Sequence, residues 1–169
     1  MAYRARPAGR EDAAAIARIY REGIDDRLAT FETRPRRADE VSAWVEAGFP
    51  LVVVEDEGGV VVAWASAPPY RLGREAYAGV AEFSVYVARA ERGRGAGRVA
   101  MDALVREAEA RGFWKLVSRI FPENEASLAL CRALGFRKVG VYRRHAKLDG
   151  EWRDVVVVEL LLGEAASAR

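Results

Sequence analysis

Glu82-Phe83-Ser84-Val85-Tyr86-Val87-Ala88-Arg89-Ala90-Glu91-Arg92-Gly93-Arg94-Gly95-Ala96-Gly97-Arg98 is the stretch on which the fold turns. The aromatic and β-branched residues between Ala81 and Val87 predict a strand. The run Arg92-Gly93-Arg94-Gly95-Ala96-Gly97 then opens a helix that continues to about Arg111 and stops at Gly112. A glycine-rich loop between strand and helix points successive backbone N–H groups into one concavity, and the helix N-terminus adds positive partial charge. Such a concavity is an anion site suited to a pyrophosphate, with Arg92, Arg94 and Arg98 available for charge-assisted hydrogen bonds. Three rivals share the pattern. A turn of this kind can form with no ligand at all. A dinucleotide fingerprint needs a third glycine where Arg98 stands, and it belongs after a chain's first strand. A P-loop needs Gly-Lys-Ser or Gly-Lys-Thr, which the sequence lacks.

Working outward, the flanks alternate between strand and helix patterns. Ala2 to Arg6 reads as a first strand. A helix follows, with Asp12 in its acidic first turn and Ile16, Ile19, Tyr20 and Ile24 forming one apolar stripe. A second helix is expected from Ala38 to Ala47, ended by Gly48. Leu51–Glu55 and Val60–Ala65 form a hairpin around Asp56-Glu57-Gly58-Gly59. Pro68-Pro69 breaks the sheet before a loop with Tyr70, Arg71, Arg74 and Tyr77. Beyond the glycine-rich helix come a strand from Lys115 to Phe121 and a helix capped by Asn124 that ends at Leu134-Gly135. Two last strands, about 137–147 and 152–162, meet at the turn Leu148-Asp149-Gly150-Glu151. The order β-α-α-β-β-β-α-β-α-β-β predicts an α/β fold, a mixed central sheet of about seven strands flanked by about four helices. One domain over 1–163 and a frayed polar tail over 164–169 complete the division.

Composition narrows the function. Twenty-seven basic residues against twenty-five acidic give a net charge of +2, too small to predict a nucleic-acid partner. One cysteine, Cys131, allows no internal disulfide, and no run approaches the roughly 20 apolar residues that cross a bilayer. With one histidine, His145, and no Cys-x-x-Cys, no metal site is expected. The expected setting is cytoplasmic, without nucleic-acid or membrane partners.

Arg92-Gly93-Arg94-Gly95-Ala96-Gly97 resembles the Q/R-x-x-G-x-G/A coenzyme A signature of the GNAT superfamily of N-acetyltransferases, and Asn124 with Leu134-Gly135-Phe136 resembles its N…LGF ending. Thr30-Phe31-Glu32, Pro69-Tyr70-Arg71, Tyr77, Glu82 to Val87 and Lys147-x-x-Gly150-x-Trp152-x-Asp154-Val155 are similar to the phosphinothricin and methionine-sulfoximine acetyltransferase branch. Within it, SRIFPENEAS and GVYRRHAKLDGEWRDV look most like arsinothricin N-acetyltransferases. The resemblance implies that the fourth and fifth strands splay apart, and that acetyl-CoA lies along Val85, Tyr86 and Val87 like an added strand. Its diphosphate would sit on Arg92, Gly93, Arg94, Gly95, Ala96, Gly97 and Arg98, with Asn124 and Ser127 nearby. The Val85 N–H would stabilise the developing oxyanion, a donor whose loss costs roughly 3 kcal/mol. Glu82 is the candidate general base, beside an apolar pocket, or else a holder of the acceptor's ammonium.

Many members carry a tyrosine on the fourth helix to protonate the leaving thiolate. Cys131 stands there in this chain, leaving that role unassigned, with Tyr142 a weak substitute. Cys131 itself reads as a small core residue rather than a nucleophile. Phe31, Glu32, Tyr70, Arg71, Tyr77 and Glu82 are the substrate-binding candidates, because arginine's planar fork suits the two acidic ends of a glutamate-like amino acid. Arg74, Arg143 and Arg144 carry less weight, and His145 reads equally as a surface residue or a substrate contact. The branch also implies a homodimer with the substrate pocket near the two-fold contact. Another small amine, a protein N-terminus, or a non-catalytic acyl-CoA sensor stand as alternatives.

Overall fold

A computed structural model describes residues 2–168, so Met1 and Arg169, the two ends of the expected domain and tail, lie outside the described residues. The elements are β1 (Arg4–Pro7), α1 (Ala13–Asp25), α2 (Ala38–Ala47), β2 (Leu51–Glu55), β3 (Val61–Ser66), β4 (Val80–Glu82), β5 (Ser84–Val87), α3 (Ala96–Ala110), β6 (Lys115–Ile120), α4 (Glu125–Ala133), β7 (Arg137–Leu148), β8 (Glu151–Leu161) and α5 (Gly163–Ser167). The mixed α/β arrangement is the expected one. The central sheet of about seven strands takes the form of eight strands in two four-stranded sheets, ordered β1-β2-β3-β5 and β4-β6-β8-β7, which part at the expected splay. A short helix, α5, occupies part of the segment expected to be a frayed tail.

The first sheet is covered on both faces, which explains why β2 and β3 are buried at every position, and apolar up to Glu55 and Ser66 at their ends, rather than alternating. Val52, Val54, Ala63 and Ala65 face Ala100, Met101 and Leu104 of α3. Leu51, Val53 and Trp64 face Ile16, Ile19 and Ile24 of α1 and Val41 of α2. Each fully buried isoleucine of that stripe contributes about 1.5–3 kcal/mol. Local chemistry sets the ends. Asp12 accepts the Gly9 N–H at 2.8 Å ahead of α1, Gly48 ends α2 at φ +79°, and Asn124 Oδ1 accepts the Ser127 N–H at 3.3 Å to cap α4. Asp149 and Gly150 both adopt positive φ, as a two-residue hairpin turn between β7 and β8 requires.

The break that creates two sheets falls inside the stretch 80–87. Its first half, β4, pairs in parallel with β6, Glu82 opposite Val117. Its second half, β5, pairs antiparallel with β3, Val85 opposite Ala65. Phe83 is the pivot: its N–H donates to Val117 O at 2.9 Å, and its carbonyl accepts from Ser118 Oγ at 3.0 Å. Beyond it β5 and β6 part, and the two sheets splay.

Candidate active site

Backbone alternation determines what the splay exposes. Glu82 N–H donates to Pro68 O and Ala88 N–H to Val62 O, both away from β6, whereas the Phe83 N–H points toward it. Along a strand the sense reverses at every residue. The N–H groups of Val85 and Val87 therefore face the open seam, where β6 no longer reaches them. A cleft of about 370 Å³ runs along this edge, lined by Val85, Tyr86 and Val87, by the loop from Glu91 to Arg98, and by Ser127 and Leu130 of α4.

The loop presents peptide groups more than side chains. Gly93 and Gly95 have φ +77° and +96°, values that cost an L-residue about 1–2 kcal/mol. The N-terminus of α3 has no side-chain cap, so the first N–H groups of a 15-residue helix lack protein acceptors and open onto the cleft. The arginines expected to grip the anion are already engaged. Arg92 pairs with Asp26 at 2.6 Å and also donates to Val87 O, Arg98 pairs with Asp102 at 3.2 Å, and Arg94 reaches Glu91 at 3.7 Å. Arg92 and Arg98 line the cleft with Gly93, Gly95, Ala96 and Gly97; the Arg94 side chain does not. Asp26 also takes Arg89, and the two guanidinium groups hold its carboxyl below the usual carboxylate range.

A second cavity of about 260 Å³ continues from the cleft across Val85, Tyr86, Asn124 and Ser127. Phe31, Glu32, Glu82, Phe83, Ser118, Arg119 and Phe121 complete its wall. Phe31 meets Phe121 edge-on at 4.9 Å, and Glu32 pairs with Arg36 at 2.8 Å. Tyr86 stacks on Trp64 at 4.9 Å, and burial pushes its phenol well above the ordinary tyrosine range. Glu82 was expected against an apolar surface. Instead it is ion-paired with Arg119 at 2.7 Å, because the parallel register puts Arg119 two residues past Val117, its partner on β6. Across that pair lies a third pocket, about 400 Å³, lined by Tyr70, Arg71, Tyr142, His145 and the same Glu82 and Arg119. Tyr77 lines none of the three; it packs edge-on to Tyr70 at 6.0 Å, and Arg71 lies over both rings.

A sequence profile of the acetyltransferase (GNAT) family matches residues 16–136, well over half the chain. The chain belongs to the GNAT acetyltransferase family. The L-methionine sulfoximine/L-methionine sulfone acetyltransferase of Pseudomonas paraeruginosa is 33% identical over 96% of both chains. The phosphinothricin N-acetyltransferase of Streptomyces coelicolor is 31% identical over 91% of this chain and 93% of its own. The crystal structure of a GNAT superfamily phosphinothricin acetyltransferase from Sinorhizobium meliloti in complex with AcCoA superposes with a TM-score of 0.91 at 32% identity, over 100% of this chain and 93% of that one.

In this GNAT enzyme the fourth-helix cysteine is buried within the main core. Burial pushes the Cys131 thiol up to about 11, so it is protonated at neutral pH and unsuited to attack. Neither the cleft nor the Cys131 position offers a tyrosine from α4; Tyr142 lines only the third pocket. Arg143 and Arg144 are exposed, and the Arg144 N–H is held by Asp154 at 2.7 Å. Among the described residues no group of three or more His, Cys, Asp or Glu side chains could hold a metal, and no helix is long and apolar enough to cross a membrane.

The residue absent from the sequence reading is Arg119. The signal existed: once the stretch at 82 is laid parallel to the strand at 115–120, residue 119 falls on the Glu82 side. Fixing that register required the three-dimensional pairing.

Proposed function

We propose that this enzyme transfers the acetyl group of acetyl-CoA to the α-amino group of a small glutamate-like amino acid of the phosphinothricin, methionine-sulfoximine or arsinothricin type. One observation carries the reading. The open seam along β5 leads from an uncapped helix N-terminus at one end to the Glu82 carboxylate at the other. The fit to acetyl-CoA is chemical: unpaired amides suit a diphosphate, and the exposed N–H groups of Val85 and Val87 suit an extended amide chain.

When bound, acetyl-CoA supplies an acetyl group activated as a thioester. The Val85 N–H polarises the acetyl carbonyl and stabilises the charge that develops on its oxygen. Glu82 accepts the proton of the acceptor's ammonium, directly or through water, since a free alkylammonium has a pKa of about 10. The amine's second proton would pass to solvent as the amide forms, and no residue of the chain need protonate the departing thiolate, whose pKa would resemble a cysteine's, about 8.5. This accords with the buried Cys131 where other members carry a tyrosine.

The acceptor class is supported by the names of the relatives, by the small cavity beside Glu82, and by Arg71 in the adjoining outer pocket. Arsinothricin enters on the strings SRIFPENEAS and GVYRRHAKLDGEWRDV alone. Capping the amine removes a positive charge and its donors, so a toxic analogue no longer fits the enzyme it mimics. The reading includes a cytoplasmic homodimer. Its test is thiol release from acetyl-CoA with phosphinothricin, methionine sulfoximine, arsinothricin and simple polyamines as acceptors. Selective release with the amino acids supports it. Release only with polyamines rejects the acceptor class, and coenzyme binding without release points to a non-catalytic acyl-CoA sensor.

A further inference from the structure

Arg119 places two donors on one oxygen. Its Nε lies 3.0 Å and its Nη2 2.7 Å from the same Glu82 Oε1, and no hydrogen bond from the described residues reaches Glu82 Oε2. A fork-to-fork pair would give each oxygen a donor. Here one oxygen is clamped and its twin is left for something else. The guanidinium is backed from the other side, where Nη1 stands 3.4 Å from His145 Nε2 and the His145 ring stacks on Tyr142 at 4.8 Å. His145 reaches that position because β7 shifts register between Tyr142 and Ala146, around Arg144 at φ +47°. Glu82 and Arg119 both line the acceptor cavity and the outer pocket, so the pair is the partition between them.

We infer that Arg119 is a positioning residue for Glu82, fixing Oε1 so that Oε2 is the oxygen presented to the acceptor's amine. The inference rests on the proposed role of Glu82 as base. A glutamate side chain without such a clamp samples several rotamers, whereas a base must stand within hydrogen-bond reach of its proton. The competing role, direct capture of the acceptor's acidic group by Arg119, would require breaking two short bonds to Glu82 first.

The test compares Arg119→Gln and Arg119→Lys with the wild type in the thiol-release assay, alone and combined with Glu82→Gln. Arg119→Gln should lower kcat by about 10- to 100-fold, the scale of a misplaced reacting group, with acetyl-CoA affinity by calorimetry unchanged. Arg119→Lys can return one donor to Oε1 and should recover part of the loss. In the Glu82→Gln background, either substitution should add nothing, as expected of residues acting through one another. A raised acceptor KM with unchanged kcat would overturn the inference in favour of substrate binding. So would independent losses in the combined variant, or a lowered melting temperature with kcat intact. If Arg119→Gln fails to fold, the Arg119→Lys arm decides by the same criteria. A wild type that turns over no acceptor sinks the function itself, and an active wild type with an equally active Glu82→Gln sinks the base assignment; either result removes this inference with it.

Discussion

Glutamine in place of Glu82 keeps the shape of the side chain and removes its ability to take a proton. With Oε1 held by Arg119, the substituted side chain can keep one contact to that guanidinium. We expect Glu82→Gln to lower kcat by about 10²–10⁴-fold, the usual contribution of a positioned acid or base. Acetyl-CoA binding should stay intact, since Glu82 borders the acceptor cavity and not the coenzyme cleft. Steady-state kinetics beside calorimetry separate the two, and equal kcat across the pH range would rule Glu82 out as base. At this scale the sequence is legible where a residue's role is local. Asn124 announces its cap, and Asp149-Gly150 announces its turn. Arg119 carries no local sign, because its partner is 37 positions away and on another strand, and only the parallel register brings them together.

Apart from the short α5, elements were legible through the same local signals, and the division that was not is the one that makes the site. Residues 80–87 look like a continuous strand because β-branched and aromatic content runs through them. Their division into β4 and β5 is decided by neighbours, β6 for one half and β3 for the other, and no propensity encodes that choice. The loop into α3 makes the opposite case, since Gly93 and Gly95 do occupy positive φ. Gly95→Ala meets no atom within 4 Å of the added Cβ, so its cost is conformational, about 1–2 kcal/mol. Where the loop relieves that strain by turning its amides out of the cleft, acetyl-CoA affinity falls by about tenfold per 1.4 kcal/mol. Calorimetry returning wild-type affinity would place the diphosphate elsewhere. The tie between α1 and this loop has its own pH signature. Arg89 and Arg92 depress the Asp26 carboxyl below its unfolded value of about 3.9. Its contribution is therefore complete above that value and is lost as pH falls through the folded one. Asp26→Asn should melt below the wild type at pH 7, by about 2–4 °C if the partly exposed pairs together supply about 1 kcal/mol. The two melting curves should draw together as pH falls below about 3.9, and a constant gap would contradict the ion-pair account.

At the scale of the whole molecule, β7 is the unfinished edge. It is the terminal strand of the second sheet, twelve residues long, with no strand beyond it among the described residues. Val139, Val141, Tyr142 and, on β8, Trp152 are 47%, 44%, 52% and 57% exposed. A long edge with an apolar surface is a template for another strand or surface, and soluble proteins usually protect it. The same region supplies Tyr142 and His145 to the outer pocket, one step from Glu82. A second copy docked on β7 would cover the exposed valines and complete the rim of the acceptor site in one contact. Sedimentation equilibrium should then give twice the 18.7 kDa of one chain. Val139→Lys with Val141→Lys puts two charges on that surface without touching the core, and should yield folded monomers with a raised acceptor KM. A monomeric wild type at every concentration, or a charged variant that still dimerises, would move the interface away from β7.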